Sequence, residues 1–202
     1  QKIAIVTGAA RRIGRVIALT LAKHGWDVAV HYRFSKIEAI ETAEDIRKMG
    51  RRSVALHCDL TDEDAVNQLL NRVRESLGTP VCLVNNASVF EHDSVTDFSA
   101  DALDFHMRTN LTAPVLLSRA LYAMTPEGSQ SVAINLLDQK LDNLNPSFLS
   151  YTLSKAALNT ATTLLAQELA PKLRVVGIAP GITLVSGEQT EQDFKIAHKN
   201  TP

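Results

Sequence analysis

The chain contains 202 residues, of which 45% are hydrophobic and 21% are charged, and its formal net charge at pH 7 is −1. These values suit one soluble globular domain, and the charge argues against a nucleic-acid partner, whose phosphate backbone requires a strongly basic face. No apolar run approaches the roughly 20 residues of a membrane-spanning helix, and the sequence opens on a strand pattern rather than a signal peptide, so we expect a cytoplasmic protein without a membrane partner.

The residue types that bind metals are scattered along the chain. Cys58 and Cys82 lie in apolar strand patterns, and neither they nor the six histidines show metal-ligand spacing. Buried strand positions are usual for reduced structural thiols. We therefore expect no metal site.

Short apolar segments alternate with longer helical patterns along the whole chain. Strands are predicted at 3–6, 28–31, 53–58, 81–84, 132–137 and 174–178, and helices at 15–25, 36–49, 62–77, 100–122 and 150–170. This alternation predicts an α/β fold, a Rossmann-type doubly wound parallel sheet in a single domain spanning 1–202. Ligands in such sheets bind beyond the carboxyl ends of the strands.

The first predicted strand runs into a turn that contains two glycines and then into an amphipathic helix. Gly8 and Gly14 leave room for the backbone to approach a pyrophosphate, whose charge is stabilised by amide N–H groups and the positive end of the helix dipole. A three-glycine fingerprint would place its middle glycine where this chain has Arg12. With a strand before it and a helix after it, the turn predicts a dinucleotide site.

The end of the second predicted strand carries no acidic residue. An NAD-preferring site usually places a carboxylate there to bind the ribose 2′-hydroxyl, whereas this chain has Arg33 and Ser35. Both suit a 2′-phosphate, and Arg12 could reach the same phosphate, which would also explain the missing glycine. The alternative is that both arginines are solvated surface cations. The predicted cofactor is NADP(H).

Near the start of the last long helical pattern, Tyr151 and Lys155 are four residues apart and so share one helix face. A lysine cation held beside the phenol would lower its pKa from about 10 and make Tyr151 a usable proton donor. The pair alone also occurs by chance on solvated helix faces.

Three ordered motifs resemble the short-chain dehydrogenase/reductase family over nearly the whole chain. They are the turn from Thr7 to Gly14, the segment Asn85-Asn86-Ala87, and the pair Tyr151 and Lys155. Arg12, the run from Asn85 to Phe90, and Asp138 thirteen residues before Tyr151 look like the pteridine reductase branch, which includes dihydromonapterin reductases.

The resemblance implies a set of cofactor contacts. They are Gly8, Arg12, Ile13, Gly14, His31, Arg33, Ser35, Asp59, Leu60, Asn86, Ala87, Ser88, Tyr151, Lys155, Pro180 and Gly181. Within this set, Asp59 matches the adenine contact, although it could equally cap the helix that begins near Thr61. The Pro180-Gly181 turn matches the one that meets the nicotinamide carboxamide.

The resemblance also implies catalytic roles. Tyr151 would donate a proton to the substrate, Lys155 would hold the nicotinamide ribose and lower the Tyr151 pKa, and Asn110 would relay protons through water to the lysine. Most family members carry serine where this chain has Asp138. A carboxyl group can position a pterin and feed a proton toward Tyr151, so the departure favours C=N reduction; the alternative is a strand-end turn residue.

The substrate is expected to be flat. Phe90 matches the aromatic residue that stacks on a pterin, with the nicotinamide forming the opposite face of the slot, and Ser88 could add a hydrogen bond. Without the resemblance, Phe90 would be read as a core residue. A substrate lid is expected to begin near residue 182.

The leading hypothesis is an NADPH-dependent reductase of a dihydropterin. The alternatives are a general carbonyl or 3-oxoacyl thioester reductase, and a catalytically idle NADP-binding sensor, which the intact Tyr151, Lys155 and Asn110 disfavour. The resemblance implies a homo-oligomer, a tetramer formed through the predicted helices 100–122 and 150–170. It also implies a further helix and a last strand beyond Pro202, which we expect this chain to lack.

Overall fold

The computed structural model of the protein describes residues 2–181. Its strands are β1 (Ile3–Val6), β2 (Asp27–Tyr32), β3 (Ser53–His57), β4 (Cys82–Asn85), β5 (Ser131–Leu136) and β6 (Leu173–Ile178). Its α-helices are α1 (Arg12–Lys23), α2 (Lys36–Lys48), α3 (Glu63–Leu77), α4 (Ala100–Met107), α5 (Ala113–Met124) and α6 (Leu149–Leu169).

The strands form one parallel sheet in the order β3-β2-β1-β4-β5-β6. The order reverses between β1 and β4, and in doubly wound sheets a crevice for ligands opens at this switch point. The Rossmann-type prediction is confirmed, and every predicted strand end lies within one residue of the observed one. The predicted substrate lid near residue 182 and the expected loss of the last helix and strand lie outside the described residues.

The apolar core lies in two layers, one on each face of the sheet. Along β1, Ile3 and Ile5 pack into the layer that includes helices α3 and α5, whereas Ala4 and Val6 pack into the layer that includes α1 and α2. All four side chains are fully buried. A strand that is buried on both faces reads as a continuous apolar run, which is why the sequence located it.

The predicted continuous helix 100–122 is wrong in its middle. A π-helical turn, Arg108–Thr112, separates α4 from α5. Pro114 lies just after this turn, in the first positions of α5, where its missing N–H is tolerated. Single π turns inside helices are frequent at functional sites, and this turn carries Asn110.

Within residues 2–181, no helix is long and apolar enough to cross a membrane. The same residues contain no group of three or more histidine, cysteine, aspartate or glutamate side chains that could hold a metal ion.

Candidate active site

An open cleft of about 820 Å³ lies at the carboxyl ends of the strands. All residues that the resemblance implied as cofactor contacts line it, and so do the substrate candidates Ser88, Phe90 and Asp138. Asn110 is the one predicted site residue that does not line the cleft. The topology therefore collects residues from separate segments of the chain into one crevice.

The glycine turn packs directly against the segment that follows β4. Asn86 Nδ2 donates to the carbonyl oxygens of Thr7 (2.8 Å) and Gly8 (3.2 Å). A Cβ atom on Gly14 would lie 2.3 Å from the Gly8 oxygen, and one on Gly8, whose φ is 63°, would lie 3.0 Å from Ala87 Cα. The two glycines are thus required by the close approach of backbone segments as well as by room for a pyrophosphate.

Arg12 adopts a backbone conformation that favours glycine. Its φ is 52°, in the left-handed region, which costs an ordinary residue roughly 1–2 kcal/mol. The middle glycine of a three-glycine fingerprint would avoid this cost. This conformation nevertheless occurs, and the cationic Arg12 lies in the lining of the cleft.

His31 holds the glycine turn from behind. Its Nδ1 accepts a hydrogen bond from the Gly8 amide (3.0 Å), and its Nε2 lies 3.0 Å from the Cys58 carbonyl oxygen. Burial lowers the pKa of His31 to about 4, so the ring is neutral at pH 7 and Nε2 carries the proton that is donated to Cys58. His31 therefore shapes the cofactor turn through the backbone, a role that the sequence did not indicate.

Arg33 is not the freely solvated cation that the sequence left open. Its Nε (3.0 Å) and Nη2 (2.8 Å) both contact Oδ2 of Asp59, while Oδ1 of Asp59 accepts from the amide and hydroxyl of Thr61. Burial raises the pKa of Asp59, but the Thr61 hydrogen bonds and the Arg33 charge outweigh it and leave the pKa below its usual value. The cap of α3 is Asp62, which accepts from Ala65, so the interpretation of Asp59 as the helix cap is wrong.

Tyr151, Lys155 and Asp138 come together at the centre of the cleft. The Tyr151 hydroxyl donates a short hydrogen bond to Oδ2 of Asp138, and Lys155 Nζ donates to the carbonyl oxygen of Leu136 (2.7 Å). Asp138 also accepts from the amide of Lys140 (2.8 Å) and caps a short 3₁₀ turn, as the strand-end interpretation expected. Its catalytic role stays a prediction.

The pKa of Tyr151 shifts in the direction opposite to the sequence-based expectation. Burial raises its pKa, and the hydrogen bond and charge of Asp138 raise it further, so the expectation that Lys155 lowers this pKa is wrong for the protein alone. The physical reason is that the ammonium group is engaged by the Leu136 carbonyl and lies 5.8 Å from the centre of the Tyr151 ring. Burial lowers the pKa of Lys155 to about 8, although Asp138 acts in the opposite direction.

Asn110 joins α6 to the segment after β4. Its Oδ1 accepts from the Val89 amide (2.8 Å), and its Nδ2 donates to the Val89 carbonyl (3.0 Å) and to the Ser154 hydroxyl (3.0 Å). These contacts fit the alternative of a buried polar helix residue, and the water relay to Lys155 stays a prediction.

Phe90 faces the cleft and is 54% exposed, so its interpretation as a core residue is wrong. Its ring stacks on Phe148 with the centroids 4.3 Å apart and meets the Tyr151 ring edge-on at 4.7 Å. Sequence reasoning missed Phe148, which has a φ of 61°. No pattern marks a phenylalanine for a left-handed conformation, and its partner lies on a distant segment.

Comparison with known proteins identifies the family. A family model described as short chain dehydrogenase matches residues 2–195. The chain belongs to this family. It is 39% identical to the structure of FolM alternative dihydrofolate reductase 1 from Brucella canis complexed with NADP, with a TM-score of 0.95 over 100% of this chain and 80% of that chain.

Other members of the family are similarly related. The FolM structure from Brucella suis in complex with NADP is 40% identical, with a TM-score of 0.87 over 91% of this chain and 76% of that one. The 3-oxoacyl-[acyl-carrier-protein] reductase FabG of Staphylococcus epidermidis is 33% identical over 90% of this chain and 75% of its own length. The protein is an NADP-dependent short-chain dehydrogenase/reductase, and the glycine cradle and the absence of an acid at the end of β2 fit NADP(H).

We expect Gly14→Ala to weaken both folding and cofactor binding. Alanine is the better helix residue, but the added Cβ would meet the Gly8 carbonyl, and overpacking of this kind typically costs about 1–3 kcal/mol. The control is Gly25→Ala, where the φ of 88° is strained but nothing lies within 4 Å of the new atom. Urea unfolding and NADPH titration check both variants, and wild-type NADPH affinity in Gly14→Ala would contradict the assignment.

The buried Lys155 is expected to make stability depend on pH. Its pKa is about 8 in the folded protein and near the ordinary value of about 10.4 when unfolded, so between these values the unfolded state binds more protons. The penalty of burying the ammonium is thus fully present below about pH 8 and disappears toward pH 10.4. The free energy of unfolding of wild type minus that of Lys155→Met should therefore rise between pH 7 and pH 10; a flat difference would argue against the shift.

Proposed function

We propose that this enzyme uses NADPH to reduce a planar, dihydropterin-like heterocycle. The observation that carries the proposal is the Asp138 carboxylate bonded to the Tyr151 hydroxyl, with the exposed Phe90 ring 4.7 Å from the Tyr151 ring. An acid, a phenol and an aromatic surface at one point suit a flat ring that carries both N–H groups and a reducible C=N bond.

NADPH, when bound, supplies the hydride. Arg33 and Ser35 at the end of β2 would hold its 2′-phosphate, and Lys155 would hold the nicotinamide ribose. The raised pKa of Tyr151 keeps its phenol protonated at neutral pH, which is the form that a proton donor needs in the direction of reduction.

Asp138 contributes what a serine in its place could not. A carboxylate accepts hydrogen bonds from two ring or amino N–H groups at once and stabilises partial positive charge on a heterocycle. Its Oδ2 contacts the Tyr151 hydroxyl, so once Tyr151 has given its proton to the substrate, a proton taken up from water can reach the phenolate through Asp138.

Phe90 supplies the stacking surface. Phe148 covers one face of its ring, which fixes the tilt of Phe90 toward the cleft. Stacking of a conjugated ring on such a surface is favourable by about 0.5–1.5 kcal/mol beyond the area that it buries. The likeness to two structures named as alternative dihydrofolate reductases supports a pterin-type substrate.

The second candidate is reduction of a 3-oxoacyl thioester. The relatives named 3-oxoacyl-[acyl-carrier-protein] reductase, at 33–34% identity, favour it. It predicts that Asp138 acts as a turn residue for the amide of Lys140 and that Phe90 is dispensable.

The proposal extends to assembly and location. The exposed Leu153 and Leu164 on α6 leave an apolar strip that would suit contact between subunits of a homotetramer.

The two cysteines are unpaired and buried, which agrees with a reducing cytoplasm. Residues 1–202 would act as one cofactor-binding and catalytic unit.

Arg33→Ala is expected to reduce the preference for NADPH over NADH. We expect wild type to favour NADPH by at least tenfold, which requires only about 1.4 kcal/mol. The loss should arise from weaker NADPH binding, with little change for NADH. Arg47→Ala, which removes an arginine on α2 that contacts the Ser53 carbonyl outside the cleft, is the charge-matched control. Fluorescence titration with both cofactors measures the ratios, and an unchanged ratio in Arg33→Ala would assign the phosphate to other residues.

The pterin site is tested by Asp138→Ser and Phe90→Ala. Each is expected to lower kcat/KM for a dihydropterin at least tenfold while changing reduction of acetoacetyl thioester by less than threefold, because only the heterocycle uses both contacts. Tyr151→Phe should lower kcat for both substrates at least a hundredfold. Steady-state assays with NADPH supply the values. A wild-type enzyme that ignores dihydropterins but reduces the thioester would select the second candidate.

A further inference from the structure

Helix α6 begins without a capping residue of its own. The N-cap position is Phe148, whose side chain makes no capping hydrogen bond and whose backbone is left-handed, with φ 61° and ψ 51°. The first amide groups of a helix have no partner within the helix and need acceptors from elsewhere. Tyr151 is the third residue of this helix, so an unsatisfied first turn would loosen the catalytic phenol.

Asp93, far away in the sequence, supplies these acceptors. Its carbonyl oxygen accepts from the amides of Phe148 (2.8 Å) and Leu149 (3.3 Å). Its carboxylate accepts from the Ser150 amide (3.1 Å) and makes a short hydrogen bond with the Ser150 hydroxyl. Asp93 is only 7% exposed, and its negative charge faces the positive end of the helix dipole. One residue therefore serves three consecutive amides.

Asp93 also belongs to the segment that forms the other wall of the site. Phe90 lies three residues before it and stacks on Phe148, and the His92 ring meets the Phe148 ring edge-on at 5.1 Å. The hydrogen bonds that the Asp93 carbonyl oxygen accepts hold Phe148 in its strained conformation, and residues kept in such conformations cluster at functional sites. The start of α6 and the wall that carries Phe90 are consequently fixed relative to each other.

We propose that Asp93 is a positioning residue of this reductase. It lies outside the cleft lining and does not touch the reacting atoms. Its carboxylate acts through Ser150 and the first turn of α6 on the direction of the Tyr151 hydroxyl, and this is the contact that a side-chain substitution removes. Its carbonyl oxygen holds Phe148 and stays in place in such variants. Lys155 is anchored separately by the Leu136 carbonyl, so we expect its contribution to cofactor binding to survive the loss of the Asp93 carboxylate.

The test compares Asp93→Ala with Asp93→Asn and with Asp62→Ala, a variant that loses the side-chain cap of another helix. Asp93→Ala is expected to lower kcat at least tenfold while changing the NADPH dissociation constant less than threefold. Asp93→Asn keeps an oxygen for the Ser150 amide and an NH₂ group for its hydroxyl, so it should retain at least a third of wild-type kcat. Asp62→Ala removes the side-chain cap of α3, and it should lower the melting temperature without changing kcat.

Three outcomes would overturn the proposal. The first is a wild-type kcat in folded Asp93→Ala. The second is an equal loss of kcat in Asp93→Ala and Asp62→Ala when both lose the same melting temperature. The third is a kcat in Asp93→Asn no higher than in Asp93→Ala. If Asp93→Ala does not fold, Ser150→Ala replaces it, with a several-fold loss of kcat expected and an unchanged kcat counting against the proposal.

A measurement without turnover makes the test independent of the substrate. In the complex with NADPH, the amide protons of Ser150 and Tyr151 should exchange with solvent at least tenfold faster in Asp93→Ala than in wild type. Where Ser150→Ala replaces that variant, the amide proton of Tyr151 is compared. Unchanged exchange would likewise overturn the proposal. Inactivity of wild type toward dihydropterins would refute the proposed substrate but leave this comparison intact.

Discussion

The site depends on the contact between the turn after β1 and the segment after β4, the two strands at the switch point of the sheet. The hydroxyl of Thr7 accepts from the amides of Asn86 and Ala87 (both 3.0 Å), and the Asn86 side chain returns hydrogen bonds to the turn. Because Gly8 and Gly14 carry no Cβ, these backbones approach within van der Waals distance. The floor of the cofactor cleft is thereby bonded directly to the segment that leads into the wall bearing Phe90.

Burial and charge together set the protonation of the cleft in the protein alone. Burial and then Asp138 raise the pKa of Tyr151, and burial lowers that of Lys155 to about 8, so the phenol is protonated at neutral pH. A bound nicotinamide ribose would compete with the Leu136 carbonyl for the ammonium. In the proposed mechanism, this competition would draw the ammonium from the Leu136 carbonyl toward the cofactor.

Much of this could be predicted from the sequence, because the signals are local. Apolar runs buried on both faces located the strands to within a residue, and motif spacing located Tyr151 and Lys155 on one helix face. What could not be predicted depends on contacts between distant segments. The ion pair of Arg33 with Asp59, the link from His31 to Gly8 and the left-handed backbone of Phe148 leave no periodicity in the sequence.

The pKa of Tyr151 shows most clearly where local reasoning stops. The four-residue spacing to Lys155 is correct, but the upward pKa shift comes first from burial and then from Asp138, which reaches the phenol from the end of β5. Spacing on one helix says which side chains can meet, whereas their charge states depend on what other strands bring to the same point. By the resemblance to the family a serine is usual at this position, so the aspartate of this chain offers the phenol an anionic hydrogen-bond partner in place of a neutral one.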